Sequence, residues 1–119
     1  MNQPQEMFPL HGPYHPAYTT GAATVIDALA RYLNYATRHP AALPGPADAD
    51  ELAGALRVAA AKLPQAFRQM GRQIDRYAQD GDAAGALDEA ATLALALAAQ
   101  LAQVQSALRP LAAEPPLAA

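Results

Sequence analysis

Cysteine is absent from this 119-residue chain, which removes disulfides, thiolate metal sites and cysteine nucleophiles and gives no sign of an oxidising compartment. A cytoplasmic protein is the expectation. Serine occurs once, as Ser106, with no histidine close to it in sequence, so nucleophilic catalysis finds no support. His11 and His15 are four apart but flank Gly12-Pro13, a spacing unsuited to helical metal ligation, and no third ligand lies near. No glycine loop cradles a phosphate. No run reaches the roughly 20 apolar residues of a membrane span, and the stretch Ala90 to Ala99 is too short. The segment Met1 to Thr20 has neither the basic start nor the apolar run of a secretory signal. The acidic pairs Asp80 with Asp82 and Asp88 with Glu89 are accounted for by helix capping and the helix dipole. The expectation is therefore a protein that is not an enzyme and carries no cofactor and no metal.

Positive charge is also in short supply. Eight basic residues against eleven acidic ones give a net charge of −3, which argues against nucleic-acid binding by bulk charge but leaves room for a local basic face. Large side chains are few as well. The 52% apolar content is inflated by alanine, which favours helix but buries little area, so close helix approach has to replace bulky packing.

What is present is helical periodicity. Leu87, Ala90, Ala94, Leu97, Leu101, Val104, Leu108 and Leu111 are spaced alternately three and four apart, the pattern of a helix that lies along another helix. Leu52, Leu56, Ala59, Leu63, Phe67, Met70, Ile74 and Tyr77 form a similar stripe that passes through Pro64, which predicts one long kinked helix in preference to two. Asp48-Ala-Asp-Glu51 has the form of a capping box at its start. Asp80-Gly81-Asp82 reads as a stop and restart, with Gly81 after one helix and Asp82 capping the next. A link that short implies antiparallel neighbours of matched length.

A first helix is predicted from the Thr19-Thr20 pair to about His39, ahead of Pro40, with Val25, Leu29, Tyr32, Leu33 and Ala36 on its apolar side. Pro4, Pro9, Pro13 and Pro16 exclude regular structure before it, leaving residues 1–20 as an extended arm whose aromatics dock on the chain or on a partner. The predicted fold is all-α: an antiparallel three- to four-helix bundle over 21–112, two long helices forming a hairpin, with a flexible tail over 113–119.

Three groups of residues are candidates for function. Arg57, Arg68, Arg72 and Arg76, with Gln65 and Gln69 beside them, are spaced to share a helix side that could meet phosphates and base edges; a solvated outer face of locally paired charges is the reading preferred for them. Arg31, Asn34, Tyr35 and Arg38 share one side of the first helix and form a candidate partner face. Leu93 and Leu95 lie off the apolar ladder and are candidates for an oligomer interface.

The run Arg31-Tyr-Leu-Asn-Tyr-Ala-Thr-Arg38, then Leu43-Pro-Gly-Pro46, then Ala59-Ala-Ala-Lys-Leu-Pro-Gln65, resembles small alanine-rich helical proteins common in actinobacteria. The resemblance covers the chain from about Ala22 to its end. It implies an all-helical fold and designed roles for Pro64 and the Arg31 to Arg38 side, and supplies no activity. Taken together, these features predict a helical module that binds a protein partner or a second copy of itself, with no membrane contact. The alternative is a small DNA-associated accessory protein using the arginine row.

Overall fold

The computed structural model describes residues 8–78 and 81–113, and all the regular structure in them is helical. Helix α1 spans Pro16–Ala36, a single 3-10 turn spans Pro40–Ala42, α2 spans Pro46–Asp75 and α3 spans Gly81–Ala113. The chain forms two compact units, residues 1–42 and 43–119, with a boundary inside the region predicted as one bundle domain. Residues 1–7 of the arm, Asp80 of the predicted turn, and all of the predicted tail except Ala113 lie outside the described residues.

In the first unit, helix starts earlier than the proline content suggested. Pro16 occupies the first helical turn, where its missing N–H has no intrahelical partner to lose, and the Nδ1 of His15 accepts from the Ala17 N–H at 3.0 Å as the cap. Thr19 and Thr20 are thus inside α1 and not its cap, and the arm is shorter than 1–20. The helix ends at Ala36, ahead of the expected His39. There the Thr37 backbone N–H and its hydroxyl both donate to the Leu33 carbonyl, at 2.9 and 2.7 Å. The residues before α1 fold over it. Gly12 takes a positive φ of 84°, its N–H reaches the Pro9 carbonyl, and the Tyr14 hydroxyl donates to the Leu10 carbonyl. The Phe8 ring lies over Gly21, where an added Cβ would stand 3.6 Å from Cε1. Val25, Leu33 and Ala36 are half-buried, whereas Leu29 and Tyr32 are mostly exposed.

In the second unit, Gly45 is the N-cap of α2, with Pro46 in the first turn and Asp48 inside that turn. Asp48 therefore meets the helix dipole without acting as the predicted cap. The helix continues through Pro64 to Asp75 as one element, as the stripe predicted. At the turn, Asp82 lies within the first turn of α3 and is not the residue before it.

Helices α2 and α3 pack against each other as an antiparallel hairpin: Gly71 near the end of α2 meets Ala84 and Leu87, and Gly54 near its start meets Gln105. Both helices fit heptads. In α2 the a positions are Arg57, Pro64 and Gly71 and the d positions are Ala53, Ala60, Phe67 and Ile74; in α3 they are Ala84, Ala91, Ala98 and Gln105 (a) and Leu87, Ala94, Leu101 and Leu108 (d). Every one of these is buried or half-buried. Among the described residues, the buried apolar positions of the hairpin are Ala53, Ala60, Ala91, Ala94 and Ala98, with Pro64 and Gly71 of α2. Ala53, Ala60, Gly71, Ala91, Ala94 and Ala98 let the backbones approach through many short dispersion contacts, while Phe67, Ile74, Leu87, Leu101 and Leu108 are half-buried at the remaining d positions.

This seam corrects the predicted ladder. Leu87, Ala94, Leu101 and Leu108 are in it, but Leu97, Val104 and Leu111 are exposed. The predicted stripe of α2 is displaced in the same sense: Phe67 and Ile74 face the seam, while Leu56 and Met70 are exposed beside it.

Candidate interaction face

The displacement of both stripes has one geometric consequence. In an antiparallel pair, position g of one helix lies beside g of the other, and e beside e, so the hairpin has two distinct broad sides. On the g side, α2 presents Leu56, Leu63 and Met70, and α3 presents Ala90, Leu97, Val104 and Leu111. The adjoining c positions carry Leu52, Ala59, Ala66 and Gln73 in α2, and Ala86, Leu93, Gln100 and Ala107 in α3. No charged residue occupies c, d or g in either helix. Asp48, Asp50, Glu51, Arg57, Lys62, Arg68, Arg72, Asp75, Asp82, Asp88, Glu89 and Arg109 all fall at a, b, e or f. The hairpin is amphipathic as a two-helix slab: one side is charge-free and apolar, with Leu93 70%, Met70 55% and Leu97 52% exposed, and the other carries the charge.

Leu93 and Leu95, expected together at an oligomer interface, point to opposite sides, since two residues apart on a helix is about 200° of rotation. Leu93 is on the charge-free side. Leu95 is on the e side and is 47% exposed there. The residues at the centre of the apolar side, Leu63 and Leu97, were absorbed into the predicted ladder and not recognised as surface.

The arginine row divides. Arg57 is in the seam, half-buried, where its Nε donates to Oε1 of Gln105 at 2.8 Å. The Nε2 of Gln105 donates in turn to Asp50, at 3.1 Å to Oδ1 and 3.4 Å to the backbone carbonyl. Gln105, 8% exposed, is thus a polar key between a guanidinium and a carboxylate in a seam that is otherwise apolar apart from Arg57. Arg68 and Arg72 line a cleft of about 180 Å³ on the e side together with Asp75 and Asp88. Carboxylates in the same cleft offset the field that a phosphate would require. Arg76 lies just past α2 and donates to Oε1 of Gln73, and Gln65 and Gln69 are exposed.

On α1, Arg31, Asn34 and Tyr35 are exposed, and the Arg38 guanidinium lies 5.1 Å from the centre of the Tyr35 ring in a cation–π contact. His15 is occupied as the α1 cap, and it lines a cleft of about 220 Å³ with Phe8, Tyr14 and Tyr18. Among the described residues, no three His, Asp or Glu side chains group to hold a metal.

Helix α3 is long and apolar enough by length and composition to cross a membrane, contrary to the expectation that no segment is, and 17% of the qualifying window is buried. The fold defines an all-α protein built on an alanine-seamed helical hairpin. Comparison with protein-family models, with curated proteins and with solved structures finds no match to this chain.

Proposed function

We propose that the chain is a non-enzymatic, cytoplasmic interaction module whose working surface is the charge-free side of the α2–α3 hairpin. The observation that carries this reading is the segregation of charge. Twelve charged residues are distributed over two helices of 30 and 33 residues, and none is on the c, d or g positions that make this side. Solubility alone does not favour leaving such a side bare, because large apolar patches on a soluble protein promote association. The second reading, an arginine face for DNA, has weaker support, since Arg57 is engaged in the seam and Arg68 and Arg72 share their cleft with two carboxylates.

A surface kept for binding is separable from stability. The double variant Leu56→Gln with Leu97→Gln is expected to lose the ability to associate or to bind an apolar dye. Its urea-unfolding free energy, measured in dilute solution, should change by less than about 1 kcal/mol, as for surface substitutions. A loss of about 4 kcal/mol or more, as expected for two core leucines, would show that this side is closed core and would end the proposal.

A further inference from the structure

Resting on that reading, we infer that the occupant of the charge-free side is a second copy of the same hairpin, stacked face to face to complete a four-helix bundle. Three observations select a second copy. The first is size. Helices of 30 and 33 residues side by side make a face about 45 Å long and about 20 Å wide, on the order of 900 Å², comparable with the roughly 800 Å² per partner of a standard stable interface. A single amphipathic helix, about 10 Å across, covers only about half of that width.

The second is charge. A face without charge has nothing to repel its own image, so it is self-complementary under a two-fold axis, the commonest symmetry of soluble oligomers. The third is the border. A side built to lie on lipid is flanked by Lys and Arg that reach the headgroups, whereas the f positions that border this side within the two helices carry Lys62 against Asp48, Asp82 and Glu89. By the register of the hairpin, Leu56 is near Val104 and Leu63 near Leu97. A two-fold axis through the middle of the face brings Leu63 and Leu97 of both copies together at the centre, where binding energy concentrates.

The test is solution mass by light scattering across a concentration series, on the full chain and two variants. The wild type is expected at twice the 12.4 kDa chain mass. Leu97→Glu puts two like charges at the two-fold centre and is expected to halve that mass with helicity retained, and Leu97→Gln repeats the measurement should the glutamate variant unfold. Leu95→Glu, on the opposite side, should leave the mass unchanged. A dimer that both Leu97 variants leave intact would overturn the assignment of this face. A wild type that stays monomeric yet binds an apolar dye, with the dye signal lost in Leu97→Glu, would overturn self-pairing while leaving the interaction-module reading standing. A monomer that binds no dye would overturn both, with the face covered within the chain. A monomer that floats with phosphatidylcholine or phosphatidylcholine–phosphatidylglycerol vesicles through Leu97 would replace the second copy with a lipid surface.

Discussion

Ala91→Leu is expected to destabilise the hairpin by about 3 kcal/mol, the upper part of the range for overpacking a tight core. Ala91 is fully buried, at 0% exposure, in a run of the seam where its own neighbours are Ala94 and Ala98. Across it, by the antiparallel register, lies the stretch of α2 beginning at Pro64, itself buried. A leucine adds three carbons at a position that is already fully covered, and the cheapest relief is to push the helices apart along the whole seam. Separation is costly in this fold because its cohesion comes from many short contacts between small residues, and each weakens steeply with distance. For a unit of this size the loss corresponds to a fall in Tm of roughly 10–20 °C. Ala96→Leu, on the exposed f position of the same helix, adds the same carbons outside the seam and should shift stability by less than about 0.5 kcal/mol. Equal effects at the two positions, read by thermal or urea unfolding, would show that α2 and α3 are not held by an alanine seam.

How much of this was legible follows from where the large residues sit. The existence of α2 and α3, their matched lengths, their antiparallel pairing and the continuity of α2 through Pro64 could all be read from spacing, because those signals depend on period and turn chemistry. The rotation of each helix could not. Hydrophobic periodicity locates bulky residues, and here Leu56, Met70, Leu97 and Val104 mark the outer face, while the true seam is made of Ala53, Ala60, Gly71, Ala91 and Ala98, which register weakly on any hydropathy measure. The bulky stripe of α3 runs through d and g, and that of α2 through c and g before Pro64 and d and g after it, whereas only the d residues among them face the partner helix. Leu93 and Leu95 were grouped because both fell off that stripe, although helical geometry places them on opposite sides. The first helix was begun too late because Pro16 was counted as a breaker when it stands at the one helical position that accepts it. The His15 cap has no strong sequence signal beyond that proline. Gln105 did have one. It continues the seven-residue row Ala84, Ala91, Ala98, and a lone amide in a row of alanines marks either exposure or a specific partner.

That partner network predicts a reversal of sign. Gly54→Ala ought to stabilise an interior helical position by about 1 kcal/mol through helix propensity alone. In this chain it is expected to destabilise by about 1 kcal/mol, because the new Cβ would lie 2.6 Å from Nε2 of Gln105 and 3.4 Å from its Cδ. The amide is the far end of a flexible side chain, but it is held at both ends, accepting from Arg57 and donating to Asp50, so it cannot swing away without releasing two partly buried charged groups. Hydrogen bonds to charged groups are worth about 1.5–3 kcal/mol when buried, and half-exposure of Arg57 and Asp50 reduces this to about 1–2 kcal/mol. In a Gln105→Ala background the obstruction is gone, and the same Gly54→Ala change should now stabilise by about 0.5–1 kcal/mol. The four-protein cycle, read by urea unfolding, is expected to give a coupling of about 2 kcal/mol. Additivity within about 0.5 kcal/mol would mean that the amide relocates freely and that the polar key carries no energy. The coupling matters beyond its size. Alanines seven apart present nearly the same surface after a slide of two turns, so the row Ala84, Ala91 and Ala98 sets the distance between α2 and α3 better than it sets their register. One amide seated between Arg57 and Asp50, over a glycine that leaves room for it, fixes that register. Through it, Leu56 comes level with Val104 and Leu63 with Leu97 on the face assigned to the second copy.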